Sequence, residues 1–151
     1  MIACLLALCA LTLVAGCGGG GGKSAKDKYD EAYKPINDQV LAMGQEVGTA
    51  VSTAKGKTDV TLASQFSGLS VRVTALKSRL DGLKSPDEYE SDAANLSAAL
   101  QLAAADLKAI SNAAAAHRAG AAADGVRQLA ADSISIRDAR RALAKKTGAK
   151  V

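Results

Sequence analysis

Apolar residues recur along most of the chain at alternating steps of four and three. This spacing places them on one stripe of an α-helix, whereas a half-buried strand would alternate apolar and polar residues. Four such segments are separated by short stretches rich in glycine, proline or charge. The pattern therefore predicts four amphipathic helices.

The first helix is expected to begin near Ser24, because Ser24 and Asp27 have the spacing of a capping box. Pro35 should kink this helix or restart it, since proline removes a backbone donor. Gly44 and Gly48, each costing roughly 1 kcal/mol against alanine in a helix, are expected to permit a close backbone approach. The apolar stripe consists of Tyr29, Tyr33, Ile36, Val40, Met43, Val47, Ala50 and Ala54.

The second and third helices have equally regular stripes. Thr58 is expected to cap the second helix, and Ser85 to cap a third helix whose first residue is Pro86. Gly120 is the expected end of the third helix. The second stripe is Leu62, Phe66, Leu69, Val73, Leu76, Leu80 and Leu83; the third is Tyr89, Ala93, Leu96, Leu100, Ala103, Leu107, Ile110, Ala114 and His117.

The fourth helix, expected at residues 124–146, is the least regular. Val126, Leu129, Ile136 and Leu143 keep the spacing, but Ser133 and Arg140 also fall on the stripe and Ile134 lies beside it. We expect this helix to be the most mobile or the most loosely packed. Four amphipathic helices joined by short turns predict an all-α fold, an antiparallel up-down-up-down four-helix bundle.

A different pattern occupies the N-terminus, where residues 2–15 are uncharged and mostly apolar. The run is shorter than the roughly 20 residues of a membrane-spanning helix and suits a signal peptide. Its end, Val-Ala-Gly-Cys at residues 14–17, resembles the lipobox of bacterial lipoproteins. The resemblance implies cleavage after Gly16 and a lipid on Cys17, with the glycines at 18–22 as a flexible tether.

The expected organisation is a signal peptide at residues 1–16, a lipidated cysteine and tether at 17–23, and a bundle domain at 24–151. Lipoprotein leaders normally begin with Lys or Arg, and Met1-Ile2-Ala3 contains neither. Either the true start lies upstream or insertion relies on hydrophobicity alone. An uncleaved, marginal membrane anchor is the alternative.

The junction between the second and third helices carries a second resemblance. Residues 80–89 read Leu-x-x-Leu-x-Ser-Pro-x-x-Tyr, which is similar to the helix junction of small helical lipoproteins from high-GC Gram-positive bacteria. The resemblance implies the same compartment and the same helical architecture. The resemblance implies no catalytic residues.

Composition and cysteine usage agree with this location. Cys4 and Cys9 would leave with the leader and Cys17 would carry lipid, so the mature domain would hold its core without disulfides. The net charge of +4 is mildly basic. An anionic membrane surface accounts for this charge as well as nucleic acid would, and secretion argues against nucleic acid as a partner.

Candidate chemistry is sparse. His117 is the single histidine in the sequence and has no Glu three residues before it, as carboxylate-bridged metal bundles require. A haem or metal site would have to pair it with Met43 or a carboxylate. We therefore expect no catalytic site, no metal and no cofactor, and interpret His117 as an ordinary residue near a helix C-terminus.

In the predicted bundle, the end nearest Cys17 would collect three tyrosines and a group of basic residues. Tyrosines favour headgroup depth and basic groups favour an anionic surface, so this end is a possible membrane-facing surface. Alternatively, the tyrosines fill the end of the bundle, and the basic residues offset the partial negative charge at a helix C-terminus. The residues concerned are Tyr29, Tyr33, Tyr89, Arg137, Arg140, Arg141, Lys145 and Lys146.

Two functions follow from these expectations. The first is a membrane-anchored, extracytoplasmic lipoprotein that binds or scaffolds another envelope component, such as a protein, without catalysis. The second is a carrier of a small apolar ligand or cofactor between the helices. A continuous dry core would exclude the carrier, whereas a lined cavity beside Met43, Phe66 and Leu107 would favour it.

The lipid anchor generates the first testable prediction. We expect Cys17→Ala to abolish lipidation and processing, because the thiol that accepts the lipid is lost. The variant should differ from the natural chain in gel mobility and in the fraction recovered in the membrane pellet. Equal retention and unchanged mobility would contradict the compartment and the anchor together.

Overall fold

The computed structural model describes residues 22–151 and folds them into four α-helices, with no strand in this range. α1 spans Ala25–Ser52, α2 spans Asp59–Asp81, α3 spans Asp87–Ala115 and α4 spans Ala119–Thr147. The expected signal peptide, its cleavage position and the expected lipidation site at Cys17 lie outside the described residues.

The four helices form the expected up-down-up-down bundle. Within residues 22–151, helices adjacent in sequence are adjacent in space, α1 also neighbours α4, and the two diagonal pairs make no close backbone contact. The starts of α1 and α3 meet the end of α4, where Lys146 Nζ donates to the Glu88 carbonyl at 3.0 Å. At the opposite end His117 Nδ1 lies 2.7 Å from Asp59 Oδ2.

Two helix starts are where the sequence predicts them. Asp27 donates its amide to the Ser24 hydroxyl, and the Ser24 amide donates to the Asp27 carboxylate, each at 3.1 Å. This pair is a complete capping box at the start of α1. The Thr58 hydroxyl accepts from the Thr61 amide at 3.3 Å and caps α2.

Three other helix boundaries differ from the prediction. Pro86, not Ser85, is the N-cap of α3, because its extended backbone (φ −60°, ψ 149°) places it before the first helical residue. α3 ends at Ala115 rather than near Gly120, because His117 makes a left-handed turn (φ 54°). α4 then begins at Ala119, since the alanines before Asp124 are strong helix formers.

The sequence predicts either a kink or a restart at Pro35, and the restart is wrong. α1 runs without interruption through Pro35, whose ring is exposed on the outside of the bundle. Its missing amide leaves the Glu31 carbonyl without a helical donor, and Glu31 is itself exposed. Water can therefore replace the lost hydrogen bond.

The predicted stripes form the core. In α1, α2 and α3 the stripe residues are buried or partly buried, apart from His117, which is exposed beyond the end of α3. α4 contributes the fewest buried side chains of the four helices, in line with its irregular stripe. The expectation that α4 is the most loosely packed helix is wrong, because α4 packs closely on α3 while α1 lies farther from both of its neighbours. The large stripe residues that are most deeply buried are Tyr33, Ile36, Phe66, Tyr89, Leu96, Leu107, Ile110 and Leu143.

Helix spacing follows side-chain size. The closest backbone approaches are between α2 and α3 and between α3 and α4, whereas α1 lies farther from both of its neighbours. α3 contacts its neighbours through small buried residues such as Ala99, Ala103 and Ala104, while α1 inserts Tyr33 and Met43. Because interaxial distance depends on the side chains at the contact, α1 is held away from the other three helices.

One glycine in α4 permits a close approach that the sequence pattern did not identify. A Cβ at residue 125 would lie 2.7 Å from Ile110 Cγ1 on α3. At Gly44 and Gly48, where the sequence predicted a close approach, an added Cβ would have nothing within 4 Å. The prediction for Gly44 and Gly48 is therefore wrong, and Gly125 has that role.

We expect Gly125→Ala to have a lower free energy of unfolding than Gly68→Ala by about 1–3 kcal/mol, because the added methyl overpacks the contact with Ile110. A Cβ at Gly68 would have nothing within 4 Å, so the control gains the same helix propensity without a clash. Urea unfolding followed by far-ultraviolet circular dichroism measures the difference. Equal midpoints for the two variants would contradict the assignment.

Candidate functional site

An apolar cleft of about 320 Å³ lies between α1 and α4. Its floor is formed by α2 and α3, and it opens to solvent along one side. This volume lies at the lower end of the roughly 300–1,000 Å³ found for small-molecule sites. Its apolar lining includes Val40, Met43, Val47, Leu100, Leu107 and Ile136.

The cleft lies beside two of the three residues that the sequence singled out for a carrier. Met43 and Leu107 line it from opposite helices. Phe66 does not line the cleft, although it is buried in the same core. Met43 and Leu107 are themselves buried, so the cleft lies along the side of the core and does not interrupt it.

Small residues and helix spacing together open this cleft. α1 is held away from α2 and α4, and Gly44 presents no side chain to fill the space beside it. Ala103 on α3 has a small side chain, so it fills little of the space at the floor of the cleft. Gly44 thus widens the cleft instead of bringing two backbones together.

A buried arginine closes one end of the cleft. Arg140 on α4 is only 4% exposed and lines the cavity. Its Nη1 donates to Asn37 Oδ1 at 3.0 Å and to the Lys150 carbonyl at 2.9 Å. Asn37 Nδ2 donates to the same Lys150 carbonyl at 2.9 Å, so the three residues form one network.

The end of α4 positions the third member of this network. Gly148 adopts a left-handed conformation (φ 65°), which residues with a side chain adopt at a cost. The Ala149 amide then donates to the Ala144 carbonyl at 3.0 Å and the chain turns back. This turn brings the Lys150 carbonyl over Arg140 and Asn37.

The three tyrosines of the possible membrane-facing set are buried. Tyr29, Tyr33 and Tyr89 are at most 3% exposed and pack on one another, with Tyr29–Tyr33 and Tyr29–Tyr89 ring centroids 6.2 and 5.5 Å apart. Burial raises the pKa of Tyr33 above its ordinary value, while the nearby Arg140 charge acts in the opposite direction. These tyrosines plug the bundle end, so their side chains are not available to a bilayer surface.

The basic members of the set divide into two groups. Arg140 is buried, and its placement on a membrane-facing surface is therefore wrong. Arg137, Arg141, Lys145 and Lys146 are exposed on α4. Lys146 lies 2.6 Å from Asp92 Oδ2, which fixes it against α3. For the exposed basic residues, contact with a membrane stays a prediction.

His117 lies away from the cleft. Its side chain is 75% exposed and pairs with Asp59 at the start of α2. Met43 lines the cleft with Leu107, whereas His117 lies beyond the end of α3 at Ala115, which is itself about 12 Å past Leu107 at 1.5 Å per residue. The structure therefore does not bring Met43 and His117 together, and residues 22–151 contain no cluster of three His, Cys, Asp or Glu side chains suited to a metal.

A pair of carboxyl groups joins α3 to α4 outside the cleft. Burial, and then the neighbouring Asp132 carboxylate, raise the pKa of Asp106 to about 6. Asp106 Oδ2 is buried and has no donor. A proton on Asp106 would let this carboxyl group donate to Asp132, which removes the repulsion between two like charges.

No protein-family profile matches the chain, and neither a curated protein nor a solved structure matches it. Within residues 22–151, none of the helices combines the length and apolarity needed to cross a bilayer.

The carboxyl pair makes a pH-dependent prediction. Because the pKa of Asp106 rises from 3.8 to about 6 on folding, the folded state binds more protons between these values. The free energy of unfolding should therefore fall as pH rises through this window. Asp106→Asn should flatten the fall and be more stable than the natural chain at pH 7.5.

Chemical unfolding between pH 3.5 and pH 7.5 measures this effect. Asp38→Asn on the exposed face of α1 controls for loss of one carboxylate and should leave the slope in place. An unchanged slope in Asp106→Asn would show that the pair does not share a proton.

Proposed function

We propose that this protein is an extracytoplasmic lipoprotein that binds a small apolar ligand in the cleft between α1 and α4, without catalysing a reaction. The cleft carries this proposal. It is an apolar cavity beside the core that the predicted stripes form. Sites for small molecules are typically concave and mostly apolar, with a few polar groups that fix orientation.

The energetics of the cleft support a ligand. Apolar surface left in contact with water is unfavourable by roughly 25 cal/mol per Å² compared with burial. A ligand with an apolar part would cover Val47 and Ile136, partly exposed apolar residues of the lining, without moving the helices, because the space is already open. Binding would then need little rearrangement of the protein.

The N-terminal sequence supports the location. Residues 2–15 followed by Gly16 and Cys17 resemble a lipoprotein leader, and a glycine tether separates Cys17 from α1. Two or three acyl chains on one cysteine give stable anchoring, at about 0.8 kcal/mol per buried CH₂. A ligand carrier held in this way would work at the outer surface of the membrane.

Scaffolding of an envelope protein has less support. The large exposed apolar side chains in residues 22–151 are distributed over three helices and the C-terminal residue. Single exposed apolar residues are normal on protein surfaces and do not form a docking patch. These residues are Val60, Val71, Leu102, Ile134 and Val151.

The proposal is tested with a neutral fluorophore, N-phenyl-1-naphthylamine, whose emission increases in apolar surroundings. A chain beginning at Gly18 contains all four helices and every contact described above, so it can be studied without leader, lipid or detergent. We expect saturable binding that Gly44→Leu weakens by at least about tenfold, or ~1.4 kcal/mol, because the leucine occupies the cleft.

Gly68→Leu is the matched control, because both glycines are exposed on a helix and a Cβ at either has nothing within 4 Å. Ala103→Leu fills the cleft from the floor and should also weaken binding. Absence of saturable binding to the natural sequence, or equal binding by the Gly44 and Gly68 variants, would overturn the proposal.

A further inference from the structure

The most unusual group in the cleft is the buried guanidinium of Arg140. It forms no ion pair with an Asp or Glu in residues 22–151. Its two hydrogen bonds, both from Nη1, go to neutral oxygens of Asn37 and Lys150. The positive charge is therefore buried without a negative partner in the described part of the chain.

Burial of an uncompensated charge is unfavourable by several kcal/mol, and neutral acceptors offset only part of this. A guanidinium has five N–H donors, and only those on Nη1 are engaged within residues 22–151. Nε and Nη2 keep the fork geometry that matches a carboxylate. Arg140 also lines the cleft, so an anion within the cleft could reach it.

Two further arginines surround the same end of the cleft. Arg137 and Arg141 line it and are exposed. They lie three residues before Arg140 and one residue after it, so all three project from one side of α4. Arg137 is paired with Asp138 at 3.1 Å, whereas Arg141 forms no ion pair in residues 22–151. The cleft thus has an apolar body and a cationic end.

We propose that the ligand is a single-chain amphiphile with a carboxylate head, whose tail lies against Val47 and Ile136 and whose head binds Arg140. This inference rests on the proposed function and adds the ligand's chemical class. A cleft of about 320 Å³ suits one slender chain rather than a lipid with several. Arg137 and Arg141 add positive charge where the head would enter.

The test compares dodecanoate with 1-dodecanol, which has the same chain and a neutral head, as competitors of the neutral fluorophore at pH 8. We expect dodecanoate to bind roughly 10- to 100-fold more tightly, the range for hydrogen bonds to a charged group. Equal affinities would overturn the carboxylate inference and leave the apolar site intact. Tighter binding of dodecyl phosphate than of dodecanoate would overturn the choice of carboxylate.

Substitutions test whether the arginines cause the preference for dodecanoate over dodecanol. Arg140→Met should abolish the preference for dodecanoate over dodecanol while the neutral fluorophore still binds, and Arg140→Lys should keep part of it. If Arg140→Met does not fold, Arg141→Gln is the deciding variant, because Arg141 is exposed and its substitution should leave the fold intact. It should reduce the preference, whereas Arg118→Gln, an exposed arginine in the turn between α3 and α4, should not. Equal effects of these two glutamine variants would overturn the inference.

Discussion

The architecture depends on the size of the side chains between the helices. Alanines and Gly125 let α3 lie close to both of its neighbours. Tyr33, Ile36 and Met43 hold α1 farther away, because these side chains cannot interdigitate at the spacing that alanine allows. The helices are therefore closely spaced around α3 and more widely spaced around α1, and the cleft lies beside α1.

Polar contacts help to hold α1 at this greater distance. Asn37 is hydrogen-bonded to Arg140, and Arg72 Nη2 of α2 donates to Glu46 Oε1 at 2.8 Å. The first contact is buried and the second is on the surface, where an ion pair contributes little. The buried network thus serves two purposes, since it joins α1 to α4 and sets a positive charge at the end of the cleft.

The position of the cleft is compatible with an anchored carrier. If Cys17 carries lipid, the tether leads into α1 at Ser24, and Met43 lies about 28 Å farther along the helix at 1.5 Å per residue. The tyrosine-filled end would then be nearest to the membrane and the cleft would face the surrounding compartment. A ligand could enter the cleft from its open side without unfolding a helix end.

The sequence by itself determined that four helices form and which of their faces are buried. Apolar residues at alternating steps of four and three lie on one side of an α-helix, so this spacing predicts both the helix and its buried face. The caps at Ser24 and Thr58 involve residues within a single turn, so they too can be predicted from local sequence. An isolated glycine or arginine in a helix does not by itself show which neighbour it will contact. Gly44 and Gly125 look alike in the sequence, yet one widens a cleft and the other permits a close contact.

Only the tertiary structure decided these roles. Whether a glycine meets a neighbour depends on the spacing of two helices, and that spacing depends on side chains from both. Arg140 on the fourth stripe was a visible irregularity, but its burial required Asn37 from α1 and a carbonyl brought back by the turn at Gly148. Such partners are distant in sequence, and a local sequence pattern cannot predict which distant residues will be close in space.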